Sequence, residues 1–383
     1  MPDETALPET LRASYDFTTI DVPGSIATSV MQVNGGGEAV GTYRDPNIFD
    51  HVFVYENGTY TTLDVPGSSG TGGAPNAGIN AAGVIAGNYY NGSEHGFTYA
   101  NGTFATIDVP GATDTYVTGI NNSGQLTGYY LGATGGGSSG AFIYFNGNFT
   151  TIPNGIYPAI NNRGEIAGEY LSGGSEQGFT YENGTLSTFS APGALTTHAT
   201  ALNDRGVVAG DYLGSDNAGH GFIYQNGGFA TIDAPGATDT FVTGIDNHGD
   251  VVGWYTTDHA HGFIDIRGKI TTVDVPGAVD TDILGINAQG QLVGLYYDSS
   301  GHQYGFIATP SEKPSGFAHD DVSELLKDFA QHIGVDDFAF DLPANGVNSG
   351  AGGGYPTDPT SGAGGSLNFG LPDGGAHAVP NHN

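Results

Sequence analysis

Short runs in which apolar and polar or small residues alternate follow one another along most of the chain. A representative run is QLVGLY at 291–296, which tight-turn residues precede. Alternation with a period of two over four to eight residues is typical of a β-strand. No window approaches 18 consecutive apolar residues, so the sequence predicts no transmembrane helix.

The strand-like runs belong to a repeat of 39 to 44 residues. Each copy contains the phrase TIDVPG or a variant of it, and the shortest variant is TIPNG at 151–155. The prolines of the phrase are Pro23, Pro66, Pro110, Pro153, Pro192, Pro235 and Pro276. A constant period in this range is typical of a repeat architecture in which each copy is one supersecondary unit.

Three further phrases divide each repeat into four predicted strands. The phrase GINxxG has its polar residue at Asn34, Asn80, Asn121, Asn161, Asn203, Asp246 and Asn287. The phrase GxY ends at Tyr43, Tyr89, Tyr130, Tyr170, Tyr212, Tyr255 and Tyr296. The phrase HGFxY, which usually precedes Asn-Gly, has its phenylalanine at Phe53, Phe97, Phe142, Phe179, Phe222, Phe263 and Phe306. Asn and Gly provide the positive φ of tight hairpins, so we predict turns at GINxxG and at NG.

Four strands in every 40 to 45 residues indicate a propeller blade. The last repeat stops at GFIATP (305–310) without a fourth strand, whereas SYDFTTID (14–21) is a fourth strand without a preceding third one. We expect these two segments to pair. The predicted fold is all-β: a seven-bladed β-propeller of four-stranded antiparallel blades, closed by the N-terminal strand, with a C-terminal helix and a disordered tail.

Composition shifts set the predicted domain boundaries. Residues 1–13 form an N-terminal extension, 14–310 the propeller, 311–343 a helical and secretion segment, and 344–383 a flexible tail rich in Gly, Pro, Asn and Ser. In the third segment, apolar residues at helical spacing predict one amphipathic helix over 320–333.

The repeat resembles the HAF repeat of predicted extracellular bacterial proteins. The His-Ala-Phe phrase of that family is present here as His95-Gly96-Phe97, His220-Gly221-Phe222 and His261-Gly262-Phe263, and with larger changes as His51-Val52-Phe53, Gly140-Ala141-Phe142, Gln177-Gly178-Phe179 and Tyr304-Gly305-Phe306. The resemblance covers residues 14–310 and implies an exported protein. It carries no activity that could be transferred residue by residue.

The net charge of the chain limits the classes of partner that it can bind. The chain has 8 Lys and Arg against 40 Asp and Glu, a formal net charge of −32. Phosphate binding depends on Lys and Arg, so nucleic acid is excluded as a partner, and an anionic membrane surface is disfavoured. The absence of cysteine excludes disulfides, thiolate metal sites and cysteine nucleophiles.

Candidate binding residues lie in the linkers after each proline and in the loops between GxY and HGFxY, where length and chemistry vary most. They are Asp114, Asp239, Asp280, Tyr90, Tyr129, Trp254 and Tyr297. Aromatic rings with carboxylate and hydroxyl neighbours suit sugars, which stack through their CH faces and hydrogen-bond through their hydroxyls. The alternative is structural, since the rings could pack between blades and the aspartates could cap the linkers.

Repeated residues are more readily explained by the scaffold. We expect the HGF histidine to donate to a backbone carbonyl and lock one blade to the next, and the GxY tyrosines to belong to the core. One non-repeated cluster, Asp258, His259 and His261, has residue types that could ligate zinc or another divalent ion.

No cofactor is required by any motif. Calcium could bind to the acidic loops and linkers described above, because carboxylate and carbonyl oxygens are its preferred ligands. No EF-hand or GGxGxD tandem is present in the sequence. No G-x-S-x-G, Walker or H-E-x-x-H motif is present either.

The N-terminal residues lack a basic start followed by an apolar stretch, so we expect no cleavable signal. The acidic, cysteine-free chain and its acidic-aromatic phrase VDDFAFDLP (335–343) resemble substrates of bacterial type I secretion, which implies that apparatus as a partner. The predicted function is therefore a secreted, extracellular propeller that recognises polysaccharide through its variable loops. A carbohydrate-active hydrolase or lyase on the same face and a structural matrix protein are the alternatives.

Overall fold

The computed structural model describes residues 14–71, 77–132 and 139–311, and in these ranges the chain is all β-structure with no helix. None of the described residues therefore belongs to a helix able to cross a membrane. The N-terminal extension, the predicted helix over 320–333 and the tail lie outside the described residues.

The strands in chain order are β1 (Tyr15–Ile20), β2 (Ala27–Val33), β3 (Ala39–Arg44), β4 (Asp50–Glu56), β5 (Thr59–Leu63), β6 (Gly70–Thr71), β7 (Gly78–Ile79), β8 (Ile85–Tyr90), β9 (Glu94–Ala100), β10 (Thr103–Ile107), β11 (Ala112–Ile120), β12 (Leu126–Gly132), β13 (Gly140–Phe145), β14 (Asn148–Pro153), β15 (Gly155–Ile160), β16 (Ile166–Ser172), β17 (Ser175–Glu182), β18 (Thr185–Phe189), β19 (Ala194–Leu202), β20 (Val208–Gly214), β21 (Gly219–Gln225), β22 (Gly228–Ile232), β23 (Asp239–Ile245), β24 (Val251–Thr256), β25 (Ala260–Ile266), β26 (Lys269–Thr272), β27 (Asp280–Ile286), β28 (Leu292–Tyr297) and β29 (Gln303–Pro310).

Each repeat forms an antiparallel meander, as the sequence predicts. The strands pair in chain order in the sheets β11 to β14, β15 to β18, β19 to β22 and β23 to β26. In the second repeat, β6 and β7 both pair with β8, which continues through β9 to β10. The strands β2 to β5 and β27 to β29 share one sheet through a single parallel bridge between Ala27 and Gln303.

The expected pairing between the first and last segments is confirmed. Strand β1 runs antiparallel to β29 in an unbroken register from the pair Tyr15–Pro310 to the pair Ile20–Gly305. The ring of Phe17 contacts that of Phe306, with centroids 5.9 Å apart. The first strand of the described chain is thus the fourth strand of the last repeat.

The core lies between successive sheets and is built from the repeated residues. All seven HGF phenylalanines are fully buried. Five of them pack over the glycine of GxY, as in the third repeat, where a Cβ on Gly128 would lie 1.9 Å from the Tyr116 carbonyl oxygen and 2.8 Å from the Phe142 ring. The strands can pair and hold the ring only where that side chain is absent. As expected, the GxY tyrosines Tyr89, Tyr130 and Tyr255 are buried, and the others of the set are partly buried.

The HGF histidine acts within a repeat and not between repeats, which corrects the expectation from sequence. In the second repeat, His95 Nδ1 lies 3.0 Å from the Asp108 carboxylate of TIDVPG, and its ring stacks on Tyr89. The Tyr89 hydroxyl in turn contacts Thr106 Oγ1 at 3.0 Å. The same histidine–aspartate pair joins His51 to Asp64, His220 to Asp233 and His261 to Asp274. A carboxylate is the stronger partner because the hydrogen bond is charge-assisted.

The fourth repeat changes both partners of this pair together. Gln177 replaces the histidine, and its amide donates to Ser190, which replaces the aspartate, at 3.2 Å. In this repeat the two phrases change together, which keeps a hydrogen bond between the two positions.

The GINxxG asparagines also differ from the expectation. The glycine of the phrase has a positive φ, for example 85° at Gly37, but the asparagine does not. Instead, Oδ1 of Asn203 accepts the backbone N–H groups of Arg205 and Val207, and its Nδ2 donates to the backbone carbonyl of Asp246 in the next repeat at 3.0 Å. The prediction of positive φ holds at the NG turns, including Asn57, Asn101, Asn146, Asn183 and Asn226.

These side-chain donations form a series that runs from repeat to repeat. The donor and acceptor positions are Asn34 to Asn80, Asn80 to Asn121, Asn121 to Asn161, Asn161 to Asn203, Asn203 to Asp246, and Asn287 to Asn34. Only Asp246 cannot donate, because its side chain is a carboxylate. The first strands of the repeats thus lie side by side, and the last contacts the first.

The two ends of the sheets differ in chemistry. We call the end that carries the GINxxG and NG turns the turn end, and the opposite end, with the linkers and the second-to-third-strand loops, the loop end. Six of the seven linkers are fixed by a buried threonine whose Oγ1 accepts the N–H of the residue six positions earlier, namely Thr28, Thr71, Thr115, Thr197, Thr240 and Thr281. The loop end is therefore held on an ordered frame.

Candidate functional site

Next to this repeated frame lies a set of positions at which the repeats differ. The set comprises the residue five before the GINxxG polar residue and the middle residue of GxY, which face each other across the first two strands of a repeat. We call it the variable tier. Its described pairs are Ser29 and Thr42, Tyr116 and Tyr129, Ile156 and Glu169, His198 and Asp211, Phe241 and Trp254, and Asp282 and Leu295; Asn88 has the GxY position in the second repeat.

The side chain at the GxY position points toward the following repeat. Asn88 shows this most directly, because its amide donates to the Val117 carbonyl at 3.0 Å and its Oδ1 accepts the Val117 N–H at 2.7 Å. Asn88 thus bonds to both backbone groups of Val117. We call the contact between two successive repeats a seam. At the other seams the same position carries a side chain that does not make this pair of bonds.

Three tyrosines meet at the seam between the third and fourth repeats. Tyr129 stacks on Tyr116, with ring centroids 4.6 Å apart and an interplanar angle of 12°. Its other contact is an edge-to-face approach to Tyr157, at 4.8 Å and 65°. Burial and the charges of Glu94 and Asp114 raise the pKa of Tyr116 to about 12, so all these phenols are neutral donors at physiological pH.

Tyr157 reaches this position because its linker is the shortest in the chain. In the fourth repeat the register shifts between Ile156 and Ala159, so two residues bulge out of the sheet. The φ of Tyr157 is 47°, a left-handed conformation that is unfavourable for a bulky residue, and its side chain is 48% exposed. Unfavourable backbone conformations of this kind concentrate at binding and catalytic sites.

A cluster of acidic side chains surrounds a histidine at the seam between the fourth and fifth repeats. His198 Nδ1 is 3.1 Å from Asp211, and its Nε2 is 3.4 Å from Glu176. Burial opposes the charge on His198, but the bond to Asp211 and the charge of Glu169 outweigh it and raise the pKa of His198 to about 9. Burial raises the pKa of Glu169 to about 7 even though His198 is close. A carboxyl group that changes protonation near neutral pH is an acid or base candidate.

The seam between the sixth and seventh repeats combines two rings with a carboxylate. Phe241 packs on Trp254, with centroids 4.3 Å apart. Asp282 is only 9% exposed, and its Oδ1 has no hydrogen-bond partner among the described residues. Burial and the charge of Asp280 raise the pKa of Asp282 to about 7.

The three predicted linker aspartates connect neighbouring repeats. Oδ1 of Asp114, Asp239 and Asp280 accepts the backbone N–H of Glu94, Gly219 and Ala260, respectively, at 2.8 to 3.0 Å. Each acceptor lies 20 residues after its donor. The donor is the first residue of the third strand in the preceding repeat. These residues hold the loops in place, which agrees with the structural alternative.

The predicted aromatic residues are spread over several seams. Tyr129 and Trp254 belong to the variable tier, as described above. Tyr90 lies at the loop end of β8 and is 45% exposed. The Tyr297 hydroxyl donates to Gln303 Oε1 at 2.9 Å.

The proposed metal ligands have separate partners. His261 Nδ1 lies 2.9 Å from Asp274, whereas His259 Nδ1 lies 3.7 Å from Asp280. The Asp258 carboxylate accepts a bond from the Thr257 hydroxyl. The structure does not bring the three together, and no group of three or more His, Asp or Glu side chains in the described ranges is arranged to hold a metal ion.

A cavity of about 410 Å³ at the loop end shows how a loop and a linker share one surface. It is lined by the loop of the fifth repeat at Asp216 and Gly219, by His220, and by the linker from Asp233 to Thr240. Its lining includes Asp239, one of the predicted residues. The predicted placement of linkers and variable loops at the same end of the sheets is confirmed here.

Sequence reasoning missed Tyr116, Tyr157, Glu169, His198 and Asp211. The first and second strands that face each other are more than ten residues apart, and the seam partners come from different repeats. A usable signal was nonetheless present, because the two tier positions vary from copy to copy between invariant neighbours such as the glycine and tyrosine of GxY.

Comparison with solved structures shows the fold. The β-propeller domain of the Trilobed protease from Pyrococcus furiosus, whose topology is described as an open velcro, has a TM-score of 0.55 and 12% identity, covering 77% of this chain and 98% of that one. A puromycin-hydrolyzing peptidase from Mycobacterium tuberculosis has a TM-score of 0.52 and 12% identity over 80% of this chain, which spans 57% of the peptidase. YCF48 from Cyanidioschyzon merolae has a TM-score of 0.50 and 9% identity, covering 77% and 99%.

At these identities the similarity establishes a β-propeller fold and no more. No protein-family model matches the chain, and no curated protein matches it significantly.

Proposed function

We propose that this protein is a seven-bladed β-propeller that binds a polysaccharide at its loop end, and that it does so outside the bacterial cell. The observation that carries the binding proposal is the contrast within the repeat. Scaffold positions are the same in nearly every copy, whereas the variable tier holds Tyr116, Tyr129, Glu169, His198 and Trp254. A side chain that differs in each copy is not required by the common frame.

The chemistry of the tier suits a sugar. The stacked tyrosines offer faces and edges to the CH groups of a pyranose ring, and neutral phenol hydroxyls can donate to its hydroxyls. Tyr157 is nearly half exposed beside Tyr129, so the aromatic surface is open to a ligand. Carboxylates at Glu169 and Glu176 supply acceptors next to it.

The annular closure is supported by a strand pairing that joins the first described strand to the last and by two contacts between the last and first repeats. Strand β1 pairs with β29, and the Asn287 side chain donates to the Asn34 carbonyl at 3.1 Å. The buried cluster that contains Val293 and Ile307 also contains Val30 and Phe53 of the first repeat. Closure removes the long exposed strand edges that would invite aggregation.

Removal of residues 1–21 should lower the melting temperature by about 10 °C or more, because it exposes the edge of β29 and the Phe306 ring. A chain that lacks only residues 1–13 keeps β1 and is the matched control, with an unchanged melting temperature expected. Thermal unfolding followed by circular dichroism compares the two. Equal melting temperatures would argue against closure by β1.

Binding at the tyrosine seam predicts a specific loss of affinity. We expect Tyr129→Ala and Tyr157→Ala each to lower the affinity for the glycan selected on an array by about tenfold. A loss of this size corresponds to the binding free energy of one ring contact. The control is Phe145→Ala, which removes a ring that is 40% exposed at the turn end and should leave binding unchanged. Calorimetric titration measures the affinities, and melting temperatures verify the fold. Unchanged affinity in both tyrosine variants would exclude this seam.

A glycoside hydrolase is the second candidate, and Glu169 is the observation that favours it. General acids of glycosidases are carboxyl groups whose pKa is raised by burial, as that of Glu169 is. Release of reducing ends from the bound glycan, lost in Glu169→Gln with binding retained, would support the enzyme. Binding without product release would support the binding module.

A further inference from the structure

The basic residues of the described chain lie almost entirely at the turn end of the sheets, whereas acidic residues are present at both ends. Arg163, Arg205 and Arg267 lie in turns at the turn end, and Lys269 begins β26 next to one of these turns. Of the described Lys and Arg residues, only Arg44 lies at the loop end, where its guanidinium donates to both oxygens of Asp50 at 2.8 and 3.1 Å. The linkers and loops of the same end carry carboxylates in nearly every repeat. An anionic polymer that approached the variable tier would therefore be repelled.

The tier itself offers no surplus positive charge. Its histidine, His198, is held between Asp211 and Glu176, so its charge is already matched. Glu94 and Asp114 lie on the other side of the tyrosines, close enough for their charges to act on Tyr116. The stacked rings thus stand between two groups of carboxylates.

Two carboxylate oxygens at the loop end, one in the second repeat and one in the seventh, have no partner among the described residues. Oδ1 of Asp282 accepts no hydrogen bond although the residue is 9% exposed, and it lies on the first strand at the tier position that His198 and Tyr116 occupy in their repeats. Oε2 of Glu94 is likewise enclosed without a donor. Buried polar atoms are nearly always hydrogen-bonded, so each of these enclosed oxygens would gain a donor if its carboxylate turned toward a bound ligand.

We propose that the ligand of the variable tier is a glycan that carries free, protonated amino groups. An ammonium group supplies three donors and a positive charge, which the unpaired oxygens and the surrounding acids require. The tyrosine and tryptophan rings attract the same group through their π faces, while they stack on the CH face of the sugar. This inference rests on the proposed polysaccharide binding and narrows it to one chemical class.

The test compares three oligosaccharides of equal length on the full chain by calorimetric titration. They are a β-1,4-linked glucosamine oligomer, its fully N-acetylated form and a galacturonate oligomer. We expect the free amine to bind at least about tenfold more tightly than the acetylated form, with affinity falling as salt is added, and the uronate not to bind.

Charge-neutralising variants locate the effect. Asp282→Asn and Glu94→Gln should each reduce the preference for the amine over the acetylated form by at least about threefold, whereas Glu56→Gln at an NG turn should not change it. Melting temperatures exclude unfolding as the cause.

Equal affinity for the amine and the acetylated form, or tighter binding of the uronate, would overturn the inference while leaving glycan binding intact. Binding of no glycan, in this set or on an array, would overturn the proposed function and the inference with it.

Discussion

Asn203→Ala is expected to lower the free energy of unfolding by about 3 to 5 kcal/mol, the largest effect we predict for a single substitution. The side chain accepts two backbone N–H groups of its own turn and donates to the Asp246 carbonyl of the next repeat, and the residue is 3% exposed. Alanine leaves the two N–H groups without a partner in a site that water barely reaches, and the Asp246 carbonyl keeps only the N–H of Gly249. Chemical denaturation measures the loss.

Two further variants separate the contributions. Asn203→Asp keeps the two acceptor bonds and loses only the donation, so its cost should be smaller than that of alanine. Asn183→Gly replaces an asparagine of the surface NG turn, with φ at 50°, and should change stability by less than about 0.5 kcal/mol. A loss for Asn203→Ala no larger than that of Asn183→Gly would show that the asparagine series does not stabilise the fold.

Asp246→Asn is expected to raise stability at pH 8 by about 1 to 3 kcal/mol, although most substitutions of buried residues destabilise. Asp246 is the one position of the GINxxG series that cannot donate. Among the described residues no side-chain amide reaches the Asn287 carbonyl, which accepts only the Gly290 N–H. An amide at 246 could bond to that carbonyl and to Asp250, just as Asn34 bonds to Asn80 and Glu38.

The gain should depend on pH. Burial and the charge of Asp246 raise the pKa of Asp250 to about 7. The positive charges of His248 and Arg267 partly offset these effects on the pKa of Asp250. Asp265 is a further acidic residue nearby, and burial raises the pKa of Asp265 to about 7. A carboxyl group with a raised pKa keeps its proton in the folded chain where the unfolded chain has lost it. Its contribution to stability is full below about pH 4 and is lost as the pH rises through about 7.

Melting curves from pH 5 to pH 8 test this dependence. The parent protein should lose stability over that range, and Asp246→Asn should lose less, because the like charge next to Asp250 is gone. Asp250→Asn is the control: it also removes the repulsion but gives no donor to the Asn287 carbonyl, so its gain at pH 8 should be smaller. A lower melting temperature for Asp246→Asn at pH 8 would contradict the explanation.

The architecture could be predicted from the sequence because it depends on local, repeated signals. The Asn-Gly turns, the strand alternations and the unpaired segment at 14–21 each follow from a few adjacent residues, and repetition made them unambiguous. The function of the GINxxG asparagine could not be derived in this way. A recurring asparagine beside a glycine suits a left-handed turn residue equally well, and its actual acceptor lies some 40 residues away.

The site was only partly predictable for the same reason. Tyr129 and Trp254 were identified because they stand beside variable loops. Glu169 and His198 were not, since their proximity depends on the packing of two repeats and on burial that no local pattern encodes. Tyr157 required both a shortened linker and a bulge, and neither its exposure nor its contact with Tyr129 follows from the phrase TIPNG.

The contacts within and between repeats differ in what they demand of the chain. Inside a repeat, histidine pairs with aspartate and tyrosine with threonine through their side chains, and in the fourth repeat both members of the first pair change together, to Gln177 and Ser190. Between repeats, the side chains of Asn203, Asn88 and Asp239 bond to the backbone of their neighbour, which every sequence provides. A copied unit therefore brings the partners of its internal contacts with it, and its asparagine and aspartate contacts need only the backbone of the next unit, so tandem duplication followed by divergence at the tier can produce new binding surfaces while these contacts are kept.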